Sequence, residues 1–186
     1  MKHIYDNFPV TDDEYIILDQ KFGALANYAA WQLIKKNNRN NHTDSQEDVA
    51  QDLRISLLRA GSYYKRQKYI ESCLELCAKH AKDKFIGVLV AELQNLWNNK
   101  TRHGANRQKF GPHQEKLLFS LVRRLVPKSE WPSKKAPLCF DTRFVTYCKN
   151  ITWNQQKSMG KKITRERSIR SGLTSLSDYD YLAKSY

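Results

Sequence analysis

Hydrophobic residues recur at helical spacing along most of this chain. Apolar positions three or four residues apart predict a series of helices: residues 14–36, 44–60, 69–82, 85–98 and 113–126, and one that begins near residue 144. Few stretches alternate apolar and polar residues in the way that strands do. The pattern therefore predicts an all-α fold, with a proline-containing connector at residues 127–137 before the last helix.

The helix predicted over residues 44–60 carries apolar residues on two faces. Thr43 and Gln46 have the spacing of a capping box at its start, and Gly61 is a candidate for its end. The first face is formed by Val49, Leu53, Leu57 and Ala60. The opposite face is formed by Asp48, Gln51, Asp52, Ile55 and Leu58. Isoleucine and leucine beside such polar residues predict a protein-binding surface with a polar rim; a helix buried on both faces is the alternative.

The stretch from residue 144 to residue 170 is strongly basic. As a helix it places four residues on an inward side: Phe144, Tyr147, Cys148 and Ile151. The outward side would carry Thr146, Lys149, Trp153, Gln156 and Lys157. More positive charge follows Gly160, against the single acid Glu166. A basic face with an aromatic residue in its middle predicts contact with nucleic acid; a basic surface helix with Trp153 in the core is the alternative.

Individual DNA contacts can be predicted within this stretch. Five basic residues are expected at phosphates: Lys149, Lys157, Lys161, Lys162 and Arg165. Asn154 and Gln156 have side-chain amides that can form paired hydrogen bonds with an adenine edge. Tyr147 and Trp153 are expected to stack on unpaired bases.

Composition narrows the choice of partner and compartment. The chain has 32 lysine and arginine residues against 19 acidic ones, and a net charge of +13 predicts a polyanionic partner. No apolar run approaches the roughly 20 residues of a membrane span, so we expect a soluble chain without a signal peptide or a membrane partner. The four cysteines follow no disulfide pattern, which favours a reducing cytoplasm.

The residues offer little that predicts catalysis. Cys73, Cys77 and His80 share a helix face and could offer metal ligands, but their apolar neighbours favour ordinary core cysteines. The Arg102-His103-Gly104 motif of histidine phosphatases is present, but its neighbours predict a loop instead of the strand that this chemistry needs. No glycine-rich phosphate loop, paired carboxylates or nucleophile with a base partner is apparent. We therefore predict no enzyme, no metal site and no cofactor.

Two motifs resemble those of bacterial sigma factors and occur in the same order. The run Asp48-Val49-Ala50-Gln51-Asp52, with Ile55, Leu57-Leu58 and Ala60, resembles the helix that binds core RNA polymerase. Phe144-Val145-Thr146-Tyr147 resembles the start of the promoter-melting segment. The final SLSDYDYL resembles the clamp-binding segment of the late-transcription sigma factors of T-even-like phages. The stretches RAGSYYKRQ, TRHGANRQKFGPHQ and KKITRERSIRSG resemble the version carried by cyanophages.

This resemblance implies a domain organisation. Residues 1–13 would be an N-terminal arm and residues 14–172 a single sigma-like helical domain. Within that domain, residues 65–138 would be a large helical insertion between the core-binding helix and the promoter-facing helix, where most of the family has a short turn. Residues 173–186 would be a flexible tail that binds the sliding clamp, and a tail packed on the domain is the alternative. The implied clamp-binding residues are Leu176, Tyr179, Tyr181 and Leu182.

The resemblance also implies a function. The chain would bind the β′ clamp helices of the host polymerase core and direct it to late viral promoters through a minus-ten-like element, in the cytoplasm of the infected bacterium. The family's adjacent tryptophans fall on Asn150 and Ile151 here, so Asn150 joins the predicted DNA contacts. The residues alone support a less specific alternative, a polymerase-independent repressor or architectural protein. A nuclease is a third hypothesis.

Overall fold

The computed structural model describes residues 8–37, 45–99 and 110–183, and all regular structure in these ranges is helical. The elements are α1 (Asp12–Asn37), α2 (Gln46–His80), α3 (Lys84–Asn99), α4 (Pro112–Leu125), a 3₁₀ turn (Lys128–Glu130) and α5 (Thr142–Ala183). The predicted all-α fold is confirmed. None of these described helices is long and apolar enough to cross a membrane. The Arg102-His103-Gly104 motif lies outside the described residues.

A capping box begins α1. The Glu14 backbone N–H donates to Thr11 Oγ1 at 3.3 Å, and the Thr11 N–H donates to Glu14 Oε2 at 2.9 Å. These reciprocal bonds satisfy two backbone donors that the helix itself leaves unpaired. They also let the Glu14 carboxylate lie in a buried position. The helix therefore starts at Asp12, earlier than the predicted residue 14.

Helix α2 is one helix of 35 residues where the sequence predicts two. Gly61 does not end it, because a single glycine within a helix costs only about 1 kcal/mol and no proline follows. The start also differs from the prediction. Ser45 Oγ accepts the Asp48 N–H and Asp48 Oδ2 accepts the Ser45 N–H, both at 3.1 Å. Gln46 is consequently the first helical residue, and Thr43 lies outside the described residues.

The chain divides into two compact units. The first is Met1–Pro9 with Ser62–Cys139, and the second is Val10–Gly61 with Phe140–Tyr186. Helix α2 contributes its first half to the second unit and its second half to the first unit. Residues 65–138 fall within the first unit; that they form an insertion in a sigma-like domain stays a prediction.

The first unit has a core made by the second half of α2 together with α3 and α4. Its buried residues are Ile70, Cys73, Leu74, Cys77, Val90, Leu93, Trp97, Leu118, Leu121, Val122 and Val126. Arg66 of α2 pairs with Glu115 of α4, and burial lowers the pKa of the Arg66 guanidinium. The described end of the N-terminal arm docks on α2: Phe8 is buried against Tyr69, and Lys65 Nζ donates to the Pro9 carbonyl at 2.8 Å.

The cysteines considered as metal ligands belong to this core. Burial raises the pKa of the Cys73 thiol to about 12 and that of Cys77 to about 11, which keeps both protonated at neutral pH. The ring of His80 instead lies 3.1 Å from Glu130 Oε2. Across the described residues, no three histidine, cysteine or acidic side chains come together as a metal site would require.

The second unit has a core made by α1, the first half of α2 and α5. Its central residues are Ala26, Ala29, Ala30, Leu33, Val49, Ala50 and Leu53, against which Ile34, Trp153 and Met159 pack. The small alanine side chains allow the neighbouring helices to approach α1 closely. Leu18 and Phe22 extend the same buried line along α1, whereas Ile17 is 37% exposed.

Thiol labelling tests this description of the two cores. Cys139 is exposed, whereas Cys73, Cys77 and Cys148 are buried, and burial raises the pKa of the Cys148 thiol to about 12. A disulfide reagent at pH 8 should therefore label one thiol rapidly in the native protein, and all four cysteines should react in guanidinium chloride. The Cys139→Ser variant should lose the rapid phase. Rapid native labelling of this variant would contradict the assigned burial.

Candidate interaction surfaces

The first turns of α2 present one fully buried face. Val49, Leu53, Leu57 and Ala60 are each no more than 3% exposed. Val49 and Leu53 belong to the same buried cluster as the alanines of α1, and the burial of this face is as the spacing of its apolar residues predicts. This contact sets which residues of α2 face outward.

The opposite face of α2 is open to solvent. Asp48, Gln51 and Asp52 are exposed, Ile55 is 37% exposed and Leu58 is half-buried. The alternative of a helix buried on both faces is therefore wrong for this stretch. Apolar side chains framed by polar ones have the composition of an interface core and its rim. We call these five residues the α2 surface.

Asp48, which belongs to the α2 surface, also caps the N-terminus of α2. The Asp48 carboxylate accepts the Ser45 N–H and the Ser45 hydroxyl, the latter at 2.9 Å. Loss of such a cap typically costs about 1 kcal/mol of stability. Asp48 is for that reason a poor position at which to test binding, because a substitution there changes the helix as well as the surface.

A polar contact fixes α1 beside the α2 surface. Arg54 Nε lies 2.8 Å from Asp19 Oδ1, and Arg54 Nη2 donates to Asn27 Oδ1 at 3.1 Å. Asp19 is well exposed, so the ion pair contributes about 1 kcal/mol or less. Its effect is to hold the two helices in one relative position.

The buried side of α5 differs from the predicted one. Phe144, Cys148, Thr152 and Gln156 form the buried line, whereas Tyr147 and Ile151 are half-buried. Thr152 is tolerated inside because its Oγ1 donates to the Cys148 carbonyl at 3.0 Å. Threonine and glutamine count as polar in a hydrophobic pattern, so the pattern alone does not reveal this line.

Gln156 is predicted on the outward side of α5 but is buried in the structure. It is 9% exposed, and its Nε2 donates to the Ala29 carbonyl at 2.8 Å, with Gln32 Oε1 at 3.4 Å. A buried amide needs such partners, because leaving it unpaired is costly. The amide is thus used inside the protein, and the prediction that Gln156 contacts an adenine edge is wrong.

Trp153 also differs from its predicted role. It is half-buried, packs against the alanine-rich core and meets the Tyr28 ring edge-on, with ring centroids 6.3 Å apart. The alternative that places Trp153 in the core is therefore partly correct. Part of the ring remains at the surface, between α1 and α5.

Of the remaining predicted DNA contacts, Tyr147 is half-buried and the others lie on the outside of α5. The exposed residues are Lys149, Asn150, Asn154, Lys157, Lys161, Lys162 and Arg165. Residues 142–165 contain six lysine or arginine residues and no acidic one. Because lysine and arginine dominate this stretch of the helix, the face is suited to phosphates. We call these seven residues the α5 basic face.

The C-terminal segment does not change conformation at residue 173. The helix continues to Ala183, because no proline lies between residues 142 and 183 and glycines at 160 and 172 are tolerated. The sequence analysis predicts a flexible tail from residue 173, and the structure instead shows helix up to Ala183. The predicted clamp-binding residues lie outside the part of the chain whose side chains the structure describes: Leu176, Tyr179, Tyr181 and Leu182.

Two surface aromatics on α1 were missed by the sequence analysis. Tyr28 is 49% exposed and Trp31 is 43% exposed, and their rings are stacked with centroids 5.9 Å apart. The pattern assigns α1 only to the core. The available signal was their three-residue spacing off the buried line, followed by Lys35 on the same face.

Comparisons of the chain with protein-family models, with curated proteins and with solved structures found no match. Its function is therefore argued from the motifs and from the two surfaces of the second unit.

A matched pair of substitutions tests the orientation of α5. Gln156→Glu would bury a charge and set a carboxylate oxygen against the Ala29 carbonyl, so we expect a loss of about 2 kcal/mol or more in unfolding free energy. Asn154→Asp makes the same change at an exposed position and should stay within about 0.5 kcal/mol. Urea unfolding followed by circular dichroism measures both. Equal effects at the two positions would contradict the burial of Gln156.

Proposed function

We propose that this chain is a phage-encoded RNA polymerase sigma factor, which binds the host core polymerase and directs it to late promoters through a minus-ten-like element. The observation that most supports this is the open α2 surface. Among the residues that resemble the core-binding motif, Gln51, Asp52 and Ile55 are exposed and Leu58 is half-buried, so none of the four is fully buried in the core. A helix that uses two faces, one for folding and one for a partner, is what the motif requires.

The distribution of charge in the second unit supports two different partners. Acidic residues lie on α2, at Glu47, Asp48 and Asp52, and all three are exposed. The α5 basic face carries only positive charge. Acidic and basic surfaces on separate helices favour a protein partner on one and a polyanion on the other, since like charges disfavour the wrong partner.

The DNA contact in this proposal rests on the α5 basic face. Its lysines and Arg165 would neutralise phosphates, and Asn150 and Asn154 are the exposed amides available for a base edge. Asn154 therefore keeps the role predicted for it, whereas Gln156 does not.

The sliding clamp completes the proposal. The C-terminal Leu176, Tyr179, Tyr181 and Leu182 would bind the phage clamp, which would raise the local concentration of polymerase at promoters. The helical backbone up to Ala183 means that this segment would present a helix to the clamp.

A polymerase-independent DNA-binding protein is the second candidate. The observation that favours it is the α5 basic face itself, which could bind phosphates without any protein partner. Dependence on polymerase separates the two candidates.

Run-off transcription tests the proposed function. Purified host core polymerase on late-promoter DNA should produce a specific transcript only when this chain is added. Adding the phage clamp should increase the yield, and a chain ending at Ser175 should lose that increase while keeping the basal transcript. No specific transcript on either duplex or pre-opened templates would favour the second candidate.

Substitutions on the α2 surface test the polymerase contact. Leu58→Glu, or Gln51→Ala together with Asp52→Ala, should weaken core binding by about 30-fold or more, because interface hot spots contribute about 2 kcal/mol. Surface plasmon resonance with immobilised core measures this, and the melting temperature should change little.

Two matched controls complete this test. Leu117→Glu makes the same change at a leucine on α4 that is 40% exposed and should leave core binding intact. Leu57→Glu, at a position that is 3% exposed, should unfold the protein. If Leu58→Glu behaves like Leu117→Glu, the α2 surface does not bind the polymerase.

A further inference from the structure

Two adjoining cavities lie in the first unit. The larger has a volume of about 310 Å³, and its walls include the rings of Phe8, Phe110 and Phe119. The smaller has a volume of about 100 Å³ and lies between the second half of α2 and the connector that follows the 3₁₀ turn. Lys134 of that connector lines both. We call the larger the aromatic cavity and the smaller the lysine cavity.

The rings of the aromatic cavity are held in place by other aromatic residues. The Phe8 ring packs on Tyr69, with ring centroids 5.3 Å apart, and Phe119 meets the same tyrosine at 5.9 Å. Phe110 meets Trp97 of the core edge-on at 5.1 Å. Because the positions of these rings are set before a ligand arrives, the cavity is suited to a flat ligand that packs among them.

One side of the aromatic cavity is polar. Arg66 and Glu115 line it, form an ion pair with each other and are each only 18% exposed. This pair brings N–H donors and carboxylate acceptors to a largely apolar space. A hydrocarbon ligand would cover these groups without bonding to them, which is unfavourable. A flat ring with nitrogen and oxygen atoms at its edge satisfies both the rings and the ion pair.

The lysine cavity is suited to an anion. Ammonium and hydroxyl groups line it, from Lys65, Lys68, Lys134, Ser72 and Ser133, and no acidic side chain of the described residues does so. Lys68 lies 3.6 Å from Glu71 on α2, and such exposed pairs contribute little. A phosphate group carries enough charge to compete with that pair. Three ammonium groups around so small a space favour phosphate over a neutral ligand.

We propose that the two cavities together bind a free nucleotide. The base would lie among the three phenylalanine rings with its edge towards Arg66 and Glu115, and the phosphates would lie in the lysine cavity. The aromatic cavity is at the lower end of the roughly 300–1,000 Å³ of small-molecule sites, which suits a base. Nucleotides join a flat heterocycle to phosphate, as the shared position of Lys134 requires.

Bound nucleotide would connect separate parts of the first unit. It would contact Phe8 of the N-terminal arm, Arg66 of α2, Phe119 of α4 and Lys134 of the connector. A ligand that binds only the folded arrangement of these segments stabilises it. The proposed function gives the first unit no task, so this inference goes beyond that function and does not depend on it.

Isothermal titration of the full chain with ADP and GDP tests the inference. At least one of them should bind at a single site and raise the melting temperature. Adenosine or guanosine lacks the phosphates and pyrophosphate lacks the base, so each should bind about tenfold or more weakly than the matching nucleotide. Pyrophosphate binding as tightly as the nucleotide would show an anion site only and would overturn the inference.

Lys134→Ala and Lys135→Ala form a matched pair of variants. Both residues are exposed in the connector, but Lys135 lines neither cavity. Lys134→Ala should weaken nucleotide binding by about tenfold, and Lys135→Ala by less than about twofold, although each removes one positive charge. Equal effects would mean that the nucleotide responds only to net charge, and the inference would be wrong.

Phe119→Leu tests the position of the base. It removes a ring but keeps an apolar side chain, so it should weaken nucleotide binding several-fold and leave pyrophosphate binding unchanged. Phe110→Leu makes the same test at a second wall of the cavity if Phe119→Leu does not fold. Unchanged nucleotide affinity in a folded variant would contradict the assignment of the base to this cavity.

A variant of the α5 basic face separates this inference from the proposed function. Lys157→Ala should weaken promoter binding and leave nucleotide affinity unchanged, whereas Lys134→Ala should leave core and promoter binding unchanged. Loss of nucleotide affinity in Lys157→Ala would place the nucleotide on α5 and overturn the inference. A chain that directs no transcription but binds nucleotide through Lys134 would retain the inference and remove the sigma proposal.

Discussion

The close contact between α1 and α5 is the constraint on which the second unit depends. Ala26, Ala29 and Ala30 have no exposed surface, and their small side chains bring the backbone of α1 within reach of α5. Gln156 uses this proximity to donate to the Ala29 carbonyl at 2.8 Å. One turn later, a Cβ added to Gly160 would come within 3.3 Å of Leu33 Cδ1. Apolar packing and one buried hydrogen bond together fix the rotation of α5 about its axis.

The rotation of α5 about its axis determines which of its side chains are exposed to solvent. With Cys148, Thr152 and Gln156 inside, Lys149 and Lys157 are outside. The alanines inside α1 leave Tyr28 and Trp31 at the surface, and the packing of α2 on the same alanines leaves Asp52, Ile55 and Leu58 at the surface. One small core therefore supports an acidic and apolar surface on α2 and a basic, aromatic one on α1 and α5. The proposal of separate protein and DNA partners depends on this arrangement.

The hydrophobic pattern predicts the helices well because each packs one apolar face against a core. It fails where a polar side chain is buried with its partner: Gln156 is predicted on the outward side and Thr152 is not predicted on the inward side, yet their hydrogen bonds allow both to lie inside. It also fails at Gly61, because no local signal separates a helix end from a tolerated glycine when the next residues remain helix-compatible. The start of α1 was predictable, since Thr11 and Glu14 have the capping-box spacing. The spacing of Tyr28 and Trp31 off the buried line indicates their exposure only in part, because that exposure also depends on which side of α1 meets α5.

Hydroxyl-radical footprinting tests most directly the claim that the two surfaces have separate partners. It measures the oxidation of individual side chains in the free chain, with core polymerase, and with core polymerase and promoter DNA. The account predicts that core lowers the oxidation of Ile55 and Leu58, that promoter DNA then lowers that of Tyr28 and Trp31, and that Phe85 on α3 stays reactive throughout. Core-dependent protection of Phe85 with Leu58 still fully oxidised would contradict it.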